Sequence, residues 1–262
     1  MTMPPPSDRT ELRDVPYAFR YRLPEEFVTV EDPATVEGWA EALAELMPGA
    51  GTLERAQSAE KMRRSLPLFL ERGDTLVDVA MCLGAERVRS EDKLSYGLLV
   101  VSVRPSDHGE RLLTAEGIYR AKERLFFAGE PEVEELDFAL GKGVRGRQDM
   151  LLATKLPNGP GVMSASLRTV ELRTADQVPE GAGSSRTQKI PMAVLQLIVP
   201  APGDYCAYVT IATPSVYLLD SYSERLAHIG RTFTFDTQTA VKAASGHRTA
   251  QAAVRAPHGD GA

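Results

Sequence analysis

The sequence predicts an α+β protein, an antiparallel β-sheet flanked by helices. Residues 74–103 hold two apolar segments, DTLVDVAMCL and LSYGLLVVSV, joined by a charged link. Residues 190–212 hold two more, IPMAVLQLIV and YCAYVTIA, joined by Pro202-Gly203-Asp204. A stretch of helical spacing follows each pair. Strands joined by hairpins pair antiparallel, and helices then cover the sheet faces. The order strand–turn–strand–helix recurs over 75–127 and 190–229. It admits two related halves or a common α+β arrangement.

Residues 1–15 are polar and Pro-rich and read as a flexible arm. From Tyr17 to Leu23 aromatic and polar residues alternate, with Tyr17, Phe19 and Tyr21 on one face of a strand that Pro24 ends. Asp32-Pro33 predicts a helix start, Asp as N-cap and Pro at the first helical position. Val36, Trp39, Ala40, Leu43 and Leu46 form its core side, and Pro48-Gly49 stops it. A second helix follows Thr52 and runs to Pro67.

The two strands at 74–83 and 94–103 leave AERVRSEDK as a long hairpin loop. A helix over 114–127 places Ile118, Ala121, Leu125 and Phe126 at helical spacing. Strands are expected at 149–156 and 164–173, then a polar loop over 175–188. Residues 190–199 read as a central strand and 205–212 as its return. Pro214-Ser215 opens a helix with Val216, Leu219, Tyr222, Leu226 and Ile229 in one stripe. Gly230 fits its C-terminal cap, and TFTF over 232–235 is a closing strand. Residues 237–262 contain no aromatic, Ile or Leu, so a disordered tail is expected. One domain, 16–236, remains.

The chain has 262 residues and a formal net charge of −6. That charge argues against a dedicated nucleic-acid binder, which needs a basic surface. A core of this size needs neither disulfide nor metal. No segment approaches the ~18 consecutive apolar residues of a membrane span. Residues 1–17 lack the apolar centre of a secretory signal, so the expected compartment is the cytoplasm. Arginine outnumbers lysine 23 to 7, a bias that suggests a GC-rich genome such as an actinobacterium's.

Gly141-Lys142-Gly143-Val144-Arg145-Gly146 matches G-x-G-x-x-G. A dinucleotide site needs a parallel βαβ unit, and the segment that follows is too short to supply one. What survives is an anion-binding loop carrying Lys142, Arg145 and Arg147, weighed against a solvated basic turn facing the acidic stretch before it. That stretch, with Glu130, Glu132, Glu134, Glu135 and Asp137, reads as a charged edge that blocks strand aggregation. Cys82 and Cys206 sit in apolar runs and read as buried, reduced thiols. His108, His228, His247 and His258 have no zinc spacing, so no metal or cofactor is expected. No nucleophile elbow or phosphate-binding Walker loop occurs, and no catalytic residue is assigned.

The opening YAFRYRLPEEF, Tyr17 to Phe27, resembles the start of the PsbP-like fold, an aromatic strand, then Leu-Pro, then an aromatic. The close, SYSERLAHIGRTFTF from Ser221 to Phe235, resembles that fold's last helix and strand. The family includes photosystem accessory proteins, a nuclear import factor that binds a small GTPase, and actinobacterial proteins, some linked to type VII secretion. The resemblance implies an antiparallel sheet flanked by helices and a non-catalytic accessory role with another protein as partner. It carries over no functional residue, because it lies in packing positions. The expected function is therefore an adaptor acting through protein–protein contact. The alternatives are a small-molecule or phosphate-ligand protein using the 141–147 loop, and a structural assembly component.

Overall fold

The computed structural model describes residues 12–14, 17, 19–88, 90–106, 109–127, 150–173 and 187–235. The strands are β1 (Leu12–Asp14), β2 (Phe19–Arg22), β3 (Val28–Thr29), β4 (Thr75–Val88), β5 (Glu91–Pro105), β6 (Met150–Leu156), β7 (Gly159–Arg173), β8 (Thr187–Pro200), β9 (Tyr205–Thr213) and β10 (Thr234–Phe235). The helices are α1 (Val36–Leu46), α2 (Thr52–Ser65), α3 (Arg111–Phe127) and α4 (Leu219–Thr232). Seven strands form one antiparallel sheet in the order β3-β4-β5-β9-β8-β7-β6. The fold is α+β, as the sequence predicts.

The sheet joins the two hairpins read from the sequence. Strand β5 pairs with β9 from Leu98↔Ala212 to Pro105↔Tyr205, so the apolar runs of both hairpins share one core. Successive side chains of a strand point to opposite faces. One face carries Ala80, Cys82, Leu99, Val101, Leu195, Leu197, Val209 and Ile211, buried against Tyr222, Leu226 and Ile229 of α4. The other carries Val79, Met81, Leu98 and Val100 under Trp39 and Leu43 of α1, and Val162 and Ile198 under Ala115 of α3. Helices α3 and α4 thus follow their hairpins in the same chain order but lie on opposite faces. A two-fold axis between neighbouring antiparallel strands would keep both helices on one face. The pattern is a recurring arrangement rather than a symmetric repeat.

A second sheet, β1-β2-β10, lies on the α4 side. Its Phe19 stacks on Phe233 at 4.8 Å, and the Tyr21 hydroxyl donates to buried Asp78 at 2.5 Å. Residues 12–14, within the stretch read as a flexible arm, pair with β2 and so belong to this sheet.

Four local features differ from the sequence reading. Helix α1 starts after Thr35, whose side chain accepts from the Gly38 N–H, and not at Asp32-Pro33. Asp32 instead closes a turn, accepting from the backbone N–H groups of Ala34 and Thr35. The charged segment is strand over 85–88 and 91–93: Ala85 pairs with Leu94, Glu86 with Lys93 and Arg87 with Asp92. Ion pairing across the strands (Arg87 to Asp92, 3.1 Å) and the positive φ of Ser90, 73°, let the hairpin continue through charged residues. Gly230 lies inside α4 rather than at its cap. A β-carbon there would approach Leu197 Cδ2 to 2.9 Å, so the glycine serves close packing of helix on sheet. Helix α3 begins at Arg111, whose Nε donates to the Pro200 carbonyl at 2.7 Å and whose guanidinium lies against Gly159, a position with φ of +129°.

Candidate functional site

The face that bears α1 and α3 changes character between them. Thr210, Gln196 and Ser164 stand opposite one another across β9, β8 and β7, flanked by Ser102 and Ser166. The serines and threonine are buried, and the Gln196 amide donates to Thr210 Oγ1 at 3.0 Å. On the reverse face of the same strands Ala165, Leu195, Leu197, Val209 and Ile211 are buried and apolar. Burying hydroxyls and amides costs free energy unless they are hydrogen-bonded. The row meets this condition within the fold, since Ser166 Oγ also accepts from Arg168 Nε at 3.3 Å.

Beside this row runs a cleft of about 470 Å³ along α3. Thr114, Ile118, Ala121, Lys122 and Leu125 line it from the helix, at spacings that put them on one side. Tyr208, Gln196 and Ile198 form its floor, and Arg104 and Glu71 its far wall. Arg104 is held firmly. Its guanidinium bonds Asp74 at 2.7 Å and Glu71 at 3.0 Å and covers the Tyr208 ring at 4.6 Å. Burial pushes the Tyr208 hydroxyl up to about 12, so it is a neutral donor at physiological pH. Burial also pulls the Lys122 ammonium below the usual lysine range; Glu71 opposes that shift, while Arg168 and Arg104 add to it.

The opposite flank of α3 differs. A larger groove, about 930 Å³, separates the helix from the β6–β7 hairpin. Leu112, Ala115, Tyr119, Ala153 and Val162 give it an apolar lining, and Glu116, Arg120, Glu123 and Lys155 rim it. Among the described residues β6 pairs on one side only, with β7. Its Leu152, 47% exposed, pairs with Met163 of the α4-side cluster and so faces away from the groove, whereas α3 exposes Leu112 by 63% in the groove lining.

On the other sheet face, a buried network surrounds Tyr222. Its hydroxyl lies 2.9 Å from Ser95 Oγ, which donates to Glu86 at 2.5 Å. Arg225 donates to Glu86 at 2.6 Å and also pairs with Glu26. Cys82 Sγ is 3.6 Å from the Tyr222 hydroxyl, and burial pushes its thiol up to about 11. A thiol with so little thiolate is a poor nucleophile. Every charge here has a partner inside the fold, so the network holds α4 to the β4–β5 hairpin.

Lys142, Arg145 and Arg147, the basic loop singled out in the sequence, lie outside the described residues, as do the acidic residues at 130–137 and His108. Cys82 and Cys206 are free and buried, in separate clusters, so they form no joint site. Among the described residues no group of three or more His, Cys, Asp or Glu is arranged to hold a metal ion. No described helix is long and apolar enough to cross a membrane. The polar row was missed in the sequence, although Gln196 inside AVLQLIV carries its signal, a polar residue in the middle of a central strand. No protein-family model matches this chain, and no curated protein matches it.

Proposed function

We propose that this chain is a non-catalytic accessory protein of the cytoplasm that binds another protein through β6 and the apolar groove beside α3. The observation that carries this reading is the groove between α3 and the β6–β7 hairpin, apolar in its lining and rimmed by charge, beside a strand that pairs on one side only among the described residues. An unpaired edge with apolar side chains templates pairing with another chain unless something covers it. An extended partner segment would add to β6 by main-chain hydrogen bonds and set apolar side chains into the groove. The resemblance to PsbP-like accessory proteins supports the same role, and the reading calls for no cofactor.

Capture from native lysate with the full chain tests it. A partner retained by the wild type should also be retained by Leu53→Lys, a change at a leucine 73% exposed on α2, remote from the groove. It should be lost with Ala153→Lys, which places a charge in the groove lining. Equal recovery by both variants, or no partner at all, would sink the reading.

A further inference from the structure

Given the binding role proposed for β6 and its groove, on which this rests, we infer the chemistry of the partner segment. It is an extended peptide, apolar on both faces, with an aromatic anchor beside Ala153 and an acidic residue beside Lys155.

Strand β6 selects an extended occupant. Alternate residues of a strand point to opposite faces. Toward the groove β6 presents Leu151, which packs with the Ala115–Val162 cluster, and then Ala153 and Lys155 in the groove lining. Toward the other face it presents Met150 and Leu152, 37% and 47% exposed, which pair with Ala165 and Met163 of the α4-side cluster. The edge is thus apolar on both faces. An amphipathic helix laid in the groove would leave Met150 and Leu152 uncovered on the far side of the sheet. A strand added to β6 reaches both faces, and its side chains must then be apolar on both, as in a strand buried on two sides.

The groove selects the anchor. Residues directly opposite on neighbouring strands have their β-carbons about 4.5–5.5 Å apart. Ala153 is small and pairs with Val162, while Leu112 and Tyr119 line the groove from α3. The groove holds about 930 Å³. A large aromatic side chain in register with Ala153 would fill it, and aromatic residues seated in pockets dominate binding energy at interfaces.

The rim selects the charge. Arg120 is held by Glu123 at 3.1 Å. Lys155 stands on the edge strand itself, exposed, and forms no ion pair among the described residues. An acidic neighbour across the new pairing is favoured there and a basic one disfavoured. Every pairing of the large sheet is antiparallel. An antiparallel partner meets Lys155 before Ala153, so its acid precedes its aromatic by two residues.

Fluorescence polarisation of the full chain with a labelled peptide tests this. The probe is Asp-Thr-Phe-Leu-Val between Gly-Ser flanks, with Asp opposite Lys155, Phe opposite Ala153 and Leu opposite Leu152. Saturable binding is expected, with hydrogen-exchange protection rising in β6. Alanine in place of Phe should weaken it about tenfold or more. Threonine in place of Leu should weaken it severalfold, and lysine in place of Asp about threefold or more. Lys155→Glu, a change at an exposed position, should reverse the preference between the Asp and Lys peptides. Absence of saturable binding would overturn the proposal, as would equal binding of the alanine peptide or tighter binding of the reversed sequence. So would a charge preference indifferent to Lys155→Glu, or full affinity in a folded Ala153→Lys variant. A lysate partner lost with Ala153→Lys while the peptides fail would overturn this chemistry alone and leave the protein-binding role standing.

Discussion

A β-carbon on Gly97 would lie 2.5 Å from Cε1 of Tyr222, so the ring of α4 rests directly on the β5 backbone. The absence of a side chain at 97 lets the Tyr222 hydroxyl reach Ser95 and Cys82. Gly97→Ala should therefore destabilise the fold by about 1–3 kcal/mol through overpacking. Tyr222→Phe should cost about 1–2 kcal/mol, because it strands buried hydrogen-bonding groups. In a Tyr222→Leu background the cost of Gly97→Ala should shrink, since the two residues share one contact. Urea unfolding of the four variants measures all of this.

Two helical glycines should respond with opposite sign. At Gly38 a β-carbon would meet the Asp32 carbonyl oxygen at 2.3 Å, and that oxygen belongs to the turn that precedes α1. Gly38→Ala should destabilise by about 2–3 kcal/mol. At Gly117, within α3, a β-carbon would have nothing within 4 Å. Gly117→Ala should stabilise by about 0.5–1 kcal/mol, the ordinary helix preference for alanine. Thermal midpoints moving in opposite directions would confirm the difference.

Acid stability should depend on Glu86. Burial pushes this carboxyl up, but hydrogen bonds from Ser95, Arg225 and Ser221 outweigh it and hold the group below the usual carboxylate value. The folded value lies below the unfolded one, so the stabilisation is fully present above the unfolded pKa of about 4.3. It is lost as pH falls through the folded value. Glu86→Gln should cost about 1–2 kcal/mol at pH 7, and the gap from wild type should close as the pH is lowered toward 3. A gap independent of pH would refute the assignment.

Both thiols should be silent in the native protein. Cys82 and Cys206 are 2% and 3% exposed, and burial raises both above the usual thiol range. A chromogenic disulfide reagent should release no colour from the folded chain and two equivalents after denaturation, one for each cysteine of the sequence.

The most legible elements were those whose period matches a single environment. The segment 190–235 alternates or repeats cleanly because β8 is buried on both faces along much of its length and α4 buries one stripe. The hairpin at 85–93 was read as a loop because its charges pair across strands, a relationship invisible along one strand. The start of α1 was misplaced because Asp32 can cap a helix or close a turn, and packing of Gly38 against that turn selects the second. The cleft was illegible for another reason. Lys122, Arg104, Tyr208 and Gln196 come from four separate elements, and only the β5–β9–β8 order brings them together. The exposed α3 leucines also blur its helical stripe, since two different grooves use the two flanks of one helix.

The pairing of Phe19 with Phe235 has a consequence for biosynthesis. Strand β2 leaves the ribosome early, while its partner β10 follows almost the entire domain. At about 5–20 residues per second, the aromatic side of β2 waits on the order of ten seconds or more before its sheet can close. During that interval Phe19 and Tyr21, fully buried in the finished protein, have no permanent cover. The growing chain thus carries an aromatic, strand-forming segment while the residues between β2 and β10 are made, the kind of surface that a chaperone holds until its cover arrives.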